Sequence, residues 1–365
     1  MHSIFSFFTG AGFLDLGFEH EGFSVDMVNE FEPEFLRAYR HARRVLGSPE
    51  PVYGHHLGSI EELLSGRRMR LLSKLMDDVR ARGRKVGFVG GPPCPDFSIA
   101  GKNAGGSGEN GRLTGVYFDL IRLAKPDFFV FENVEGLWRT RVHRQFYDDR
   151  KAEVEDAGYV LHDRLVNAIW YGPAQDRSRI FLVGVLGGNP NLQFPWEAGM
   201  TFDESVMRAP WPQETPFGAI ETARMPQGII RELTVQHWFE RNEVETHPNA
   251  GMYFRPKTDK FFQIPEGSTN SKSFKRLHRW RYSPTAAYGH NEVHLHPTLP
   301  RRISVAEALA LQSLPKEFEL PTDMSLTDAF KTVGNGVPYL AAKGLARSVS
   351  LHLAAEIEIS QGSRD

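Results

Sequence analysis

Apolar residues in the first half of the chain come in short runs, each closed by glycine, proline or a charged residue. Residues 4–8 form a β-prone run that ends in Thr9-Gly10-Ala11-Gly12, and residues 23–28 form a second. A third run, 86–89, ends in Gly90-Gly91-Pro92-Pro93; 128–131 is a fourth and 180–185 a later one. Segments 61–80 and 117–124 read as helices between them. Strands alternating with helices predict a parallel α/β sheet. After Gly187 the pattern dissolves. Residues 188–300 are rich in Pro, Trp, His and Asn with little periodicity, and are expected to form a separate, irregular, loop-rich domain. Order returns at Ser304-Val305-Ala306-Glu307, a capping box that opens a helix running to about Gln312. A last helix is expected to start near Pro338, with Ala341, Leu345 and Val349 four apart on one face. The expected organisation is a main domain over 1–187, a smaller one over 188–300, and a segment 301–365 that returns to complete the first.

Composition narrows the class. The 365 residues include one cysteine, so no internal disulfide can form, which fits a reducing compartment. The first basic residue is Arg37, unlike the basic start of a signal peptide. No apolar stretch approaches the roughly 18 residues that a membrane helix needs. A soluble, cytoplasmic protein is expected. A formal net charge of −2 argues against a uniformly basic nucleic-acid coat. Charge is uneven, however: residues 255–302 hold ten Lys and Arg against three Asp and Glu, with four His among them. A solvated surface is the plainer meaning of such a run; a phosphate-facing patch is the functional one.

Candidate chemistry sits at the ends of the predicted strands, where open α/β sheets bind ligands. The glycines of Phe8-Thr9-Gly10-Ala11-Gly12 let the backbone approach a ligand. Glu30, after the second run, can accept from ribose hydroxyls, and Phe31 beside it can stack on an adenine. Those features suit NAD and S-adenosylmethionine alike. Cys94 lies in Gly91-Pro92-Pro93-Cys94-Pro95. A free cysteine is more often core filler than nucleophile, but the flanking prolines exclude a regular core strand or helix there. The glycine-rich stretch 101–111 that follows reads as a lid or a slack loop. Glu132, in Phe131-Glu132-Asn133-Val134, is expected on the same edge as Cys94, where partial desolvation raises a carboxyl pKa. In Gln175-Asp176-Arg177-Ser178-Arg179, extended backbone would point Gln175, Arg177 and Arg179 to one side. Thr332-Val333-Gly334-Asn335-Gly336-Val337-Pro338 reads as a turn into the last helix. No convincing metal-ligand set appears; His55, His56, His290, His294 and His296 are expected at the surface or facing DNA.

In this order the motifs resemble the DNA cytosine-C5 methyltransferases of the bacterial restriction–modification type. The resemblance runs from Phe8 to Pro338 and skips only about 188–300. It implies a Rossmann-like S-adenosylmethionine-dependent methyltransferase domain, residues 1–187 plus 301–365, with a target-recognition domain over 188–300. It implies that Cys94 attacks C6 of a cytosine flipped out of double-stranded DNA, with Glu132, Arg177 and Arg179 around the base. The cofactor shell it implies is Phe8, Gly10, Gly12, Glu30, Phe31, Ser59, Ile60, Pro92, Asn335 and Val337. Ser98 and Lys102 are then candidates for phosphate, and Lys272, Lys275, Arg276, Arg279 and Arg281, with Trp280 and Tyr282, for the groove. A separately acting restriction endonuclease is the partner implied, and a monomer the expected state. Two departures stand out: Phe13 occupies the place of a usual third glycine, and Ser59 that of a usual aspartate. The tRNA-methylating branch carries a Cys-Phe-Thr signature, which a chain with one cysteine already used cannot supply.

Overall fold

The computed structural model describes residues 2–93, 109–219, 224–256, 258–270, 274–286, 288 and 293–362. Among these, seven strands form one sheet in the order β3-β2-β1-β4-β5-β7-β6. The strands are β1 (Ser3–Phe7), β2 (Ser24–Glu30), β3 (His55–Leu57), β4 (Val86–Gly90), β5 (Phe128–Val134), β6 (Tyr159–Asn167) and β7 (Ser178–Leu186). The five predicted runs are all strands, within a residue or a few at their ends. β1, β4 and the first part of β5 are buried on both faces, as expected of parallel strands covered by helices.

The sheet is mixed rather than parallel, which corrects the sequence expectation. β7 runs antiparallel to both β5 and β6. The connection from Asn167 to Ser178 is too short for a crossover helix, so the two strands it joins pair antiparallel. This brings the first residues of β7 to the edge where β5 ends: Val134 is level with Arg179 and Glu132 with Phe181.

Helices α1 (Phe13–Glu19), α2 (Pro33–Leu46), α3 (Gly66–Ala81), α4 (Glu109–Ala124), α5 (Glu135–Arg139) and α6 (Arg141–Asp156) cover the sheet. After the sheet come α7 (Val235–Arg241), α8 (Val305–Leu311), α9 (Leu326–Asn335) and α10 (Tyr339–Gly362). Ser304 caps α8 through the capping box read in the sequence. α10 packs on α1 with Ala341, Leu345 and Val349 buried, so the end of the chain returns to the sheet. The segment expected to be a mere turn before Pro338 is largely helix: α9 runs to Asn335, and only Gly336 onward is turn.

Between 188 and 300 the described residues hold isolated bridges, single 3-10 turns and α7, and no extended ladder. Trp238 and Phe239 of α7 join one apolar cluster with Phe35 and Ala38 of α2 and Leu309 and Leu311 of α8. No helix among the described residues is long and apolar enough to cross a membrane.

Candidate active site

β1–β3 are laid down to one side and β4 and β5 to the other, so the order reverses between β1 and β4. That reversal opens a crevice beyond the strand ends, where ligands bind in open α/β sheets. The loops that meet there are the two glycine-bearing turns, 8–12 after β1 and 91–93 after β4.

The first turn is built by backbone that ordinary residues avoid. Gly10 and Gly12 have φ of 55° and 83°. A Cβ on Gly12 would meet the Tyr39 ring at 2.6 Å, whereas one on Gly10 would meet nothing within 4 Å. Gly12 is therefore fixed by packing, and Gly10 faces open space. Phe8 also has positive φ, 55°. Glu30 locks this turn to the end of β2. Its Oε2 accepts from the Gly10 N–H at 2.8 Å, and its Oε1 from Phe31 and Glu32 at 2.8 and 2.9 Å. A carboxylate offers about four acceptor sites, so one stays available on Oε2 for a hydroxyl. Burial pushes the Glu30 pKa up, and the three backbone donors oppose that. Phe31 is 67% exposed beside it and leaves a ring face for stacking. Phe31, Gly10 and the remaining Glu30 lone pair suit the adenosine part of the cofactor that the resemblance implies.

The two departures have structural accounts. Phe13 is buried in the core, edge-on to Phe318 at 5.2 Å, and a Cβ on Gly336 would meet its ring at 2.1 Å. The glycine missing at 13 is thus matched by a required glycine at 336. Ser59 lies just beyond β3, where the Gly58 N–H pairs with Glu30 O at 3.0 Å, so it is beside the Glu30 corner. Its hydroxyl accepts from the Glu61 N–H at 3.3 Å as the cap of a 3-10 turn, and Ile60 is buried. Asn335 is exposed, Val337 and Pro92 are buried.

On the other side of the crevice stands Glu132. It is buried, and its Oε1 is 3.0 Å from Arg179 Nε. A Cβ on Gly91 would meet Oε2 at 2.7 Å, so the carboxyl is wedged between Arg179 and the backbone that leads to Cys94. Burial pushes its pKa up; the charges of Arg179 and Arg177 and the Arg179 hydrogen bond pull it down. The net direction is upward, so the carboxyl keeps its proton to higher pH than a solvent-exposed glutamate does. Cys94 itself, with Ser98, Lys102 and Lys272, lies outside the described residues.

Several expected contacts need correction. Arg177 does not point with Arg179. It is buried, and donates to Ala286 O at 3.1 Å and Gly334 O at 2.9 Å, so its charge reaches Glu132 but it cannot touch a base. Gln175 is likewise buried, bonded to Leu311 O at 3.1 Å and to the Gln312 side chain at 3.2 Å. Arg276 is not a groove residue. It is fully buried and donates to the carbonyls of Ile264, Leu299, His296 and Phe261. Burial pulls its pKa down to about 10, which still leaves it charged at neutrality. Arg279 is spent on the buried Glu266, at 2.9 and 3.0 Å. His294 is inside rather than at the surface and His296 is half-buried, with pKa values lowered by burial to about 3 and about 4. Lys275 and Arg281 are half-buried and make no carboxylate ion pair among the described residues. Sequence reasoning missed Gln312; its one signal was to sit at the end of the capped helix α8. Among the described residues no group of three or more His, Cys, Asp or Glu could hold a metal.

Comparison with known proteins gives the family and the fold. The family model for C-5 cytosine-specific DNA methylases matches residues 2–350. The chain is similar to the Type II methyltransferase M.NmeDI of Neisseria meningitidis serogroup C, 54% identical over 359 residues, covering 97% of this chain and 85% of the relative. It is also similar to the Type II methyltransferase M.MthTI of Methanothermobacter thermautotrophicus, 26% identical over 375 residues, covering 96% and 97% of the two chains. Among solved structures, a putative DNA modification methyltransferase encoded within an E. coli prophage shares the fold, with TM-score 0.62 at 19% identity over 97% of this chain and 100% of that one.

Proposed function

The chain belongs to the C-5 cytosine-specific DNA methylase family, and from that premise we propose that it methylates C5 of a flipped cytosine in double-stranded DNA through a covalent Cys94–C6 adduct. The observation that carries the proposal is the Glu132 carboxyl, buried against Arg179 on one side and the Gly91 backbone on the other, three residues before Cys94. Cytosine C5 is a poor nucleophile until the ring is activated. The Cys94 thiolate adds to C6, and Glu132 gives N3 a hydrogen bond or a proton, so that electron density is delivered to C5. Arg179 holds the Glu132 carboxyl in place while its proton moves. Once C5 has taken the methyl group, its proton leaves to a base in solvent, the Cys94 thiolate is expelled from C6, and any proton given to N3 returns to Glu132, which restores the enzyme.

S-adenosylmethionine, when bound, would supply the methyl group to C5 as an electrophile carried on a sulfonium, leaving as the neutral thioether. Glu30, Phe31, Gly10 and Gly12 would hold its adenosine end, with Phe8, Ser59, Ile60, Pro92, Asn335 and Val337 around it. Residues 188–300 serve target recognition, the enzyme works as a monomer in the cytoplasm, and a separate restriction endonuclease reads the same site. Because the target lies in a duplex, it must be flipped out before Cys94 can reach C6. The test is Cys94→Ser with tritiated cofactor and duplex DNA: transfer to cytosine falls below detection, and undiminished transfer would sink the mechanism.

A further inference from the structure

The C-terminal turn of α9 poses a problem of backbone chemistry. A helix leaves its last four carbonyls without partners inside the helix, and this end is not in water: Thr332, Val333 and Gly334 are buried. The Gly336 N–H reaches back to Thr332 O at 3.2 Å and Val333 O at 3.3 Å. The rest comes from outside the helix. Gln312 Nε2 donates to Val333 O at 2.5 Å and Gly336 O at 3.3 Å. Arg177 Nη2 donates to Gly334 O at 2.9 Å. A cation at a helix C-terminus also faces the negative end of the peptide dipoles.

Both capping side chains are held in turn. The Gln312 amide oxygen accepts from Gln175 Nε2 at 3.2 Å, and the Gln175 amide oxygen accepts from the Ala286 N–H at 3.1 Å. Arg177 donates its other arm to Ala286 O at 3.1 Å, and its own N–H goes to Asn167 Oδ1 at 3.0 Å. The Gln312 backbone carbonyl accepts the Tyr339 N–H, the first of α10, at 2.8 Å. Gln312 thus grips the 335–337 turn from both ends, with its side chain on the helix before it and its carbonyl on the helix after it. Asn335 stands out of this brace as the exposed residue.

We propose that Gln312 and Arg177 are positioning residues: they cap α9 from outside the helix and hold the 335–337 turn in the conformation that meets the cofactor. The proposal rests on the reading that Asn335 and Val337 belong to the S-adenosylmethionine shell. Neither Gln312 nor Arg177 touches cofactor or base. Arg177 lies two residues before Arg179, the partner of Glu132, so the cofactor side and the base side of the crevice share one buried brace.

The test uses the full chain and three variants. Gln312→Met keeps length and removes the donors. Arg177→Lys keeps the charge and part of the donor set. Val349→Ala empties a little of the α10 core away from the turn and serves as the stability control. Calorimetry with S-adenosylhomocysteine gives Kd, and assays on duplex DNA give KM for S-adenosylmethionine and kcat. Gln312→Met raises Kd and KM about tenfold, with kcat at saturating cofactor within about threefold of the parent. Arg177→Lys lies between, and Val349→Ala lowers Tm without moving Kd. A parent-like Kd for Gln312→Met, or an equal loss in Val349→Ala, overturns the proposal. If Gln312→Met does not fold, the same comparison is read from Arg177→Lys: a Kd raised about threefold or more supports the brace, and a parent-like Kd overturns it. A parent chain that takes no S-adenosylhomocysteine sinks the cofactor reading itself, and the brace with it.

Discussion

At the crevice, Arg179 faces one carboxylate, Glu132, across 3.0 Å. In the basic segment 255–302, Arg276 faces the backbone carbonyls of four residues and no solvent. The two regions use the same side chain for different work because their backbones differ. β5 and β7 satisfy each other's carbonyls along a ladder from Phe128 to Val134, so side chains at the strand ends are released for chemistry. Among its described residues the irregular segment has isolated bridges and no ladder, and a buried carbonyl without a partner costs about 1–3 kcal/mol. Arginine, with five donors in a fixed fork, does there what a neighbouring strand does elsewhere. Arg302 follows the same rule with Val293 O, and Arg279 and Arg301 close on the buried carboxylates Glu266 and Glu307. Lys and Arg counted along the chain therefore overstate the positive surface that DNA would meet.

The sharpest way to break this contrast is to swap the losses. Glu132→Gln at the crevice is expected to lower kcat by about 10²- to 10⁴-fold, the usual worth of a general acid, and to leave the unfolding midpoint close to the parent's. Arg276→Met is expected to do the reverse. It should cost about 3 kcal/mol of stability or more in denaturant titration, since the Phe261, Ile264 and His296 carbonyls lose their donor while Leu299 O keeps the Arg301 N–H, with kcat per folded molecule unchanged. If Arg276→Met kept full stability, the account of the irregular segment would be wrong.

A smaller effect follows from pH. Burial raises the Glu132 pKa above its ordinary 4.5, so above pH 4.5 the folded chain retains a proton that the unfolded chain has released. Stability then falls as pH rises from about 4.5 until the folded-state pKa is passed. Glu132→Gln removes that slope, so the variant's stability stays level with pH where the parent's falls. A parent and variant with parallel stability profiles would mean that Arg179 fully compensates the buried charge.

The same contrast explains what could be read from residues alone. Strands buried on both faces, such as β1, β2, β4 and β5, announce themselves as apolar runs, and their ends carried Glu30, the 91–93 turn and Glu132. β6 did not announce itself. It is an edge strand of mostly half-buried residues, with His162, Asp163 and Arg164 in its middle. β3 is three residues long. α9 did leave a legible mark, Ser325 three residues before Asp328, whose N–H the Ser325 hydroxyl caps at 3.1 Å. The split between Arg177 and Arg179 was beyond pattern reasoning. Both follow the same alternation, and only the approach of Ala286 and Gly334, distant in sequence, turns Arg177 inward.

The smallest effect tests the outer face of the irregular segment. If interior cations serve the fold, DNA must be met by those left over, and Lys275 and Arg281 are half-buried with no carboxylate partner among the described residues. Arg281 also lies 5.1 Å from the Tyr282 ring centroid, which steadies it without neutralising it. Removing a phosphate contact lowers the slope of log K against log salt by about 1, roughly equally for all sequences; removing a base-edge contact changes specificity instead. Lys275→Ala and Arg281→Ala are each expected to weaken duplex binding several-fold, flatten the salt slope by about 1, and stay within about 0.5 kcal/mol of the parent in stability. The decisive comparison is with Arg276→Met, measured on its folded fraction. Its salt slope should match the parent's, because a guanidinium enclosed by carbonyls releases no counterions from DNA. A slope change there as large as in Arg281→Ala would mean that the interior cation is felt by the phosphates after all, and the division between fold-building and DNA-facing arginines would fall.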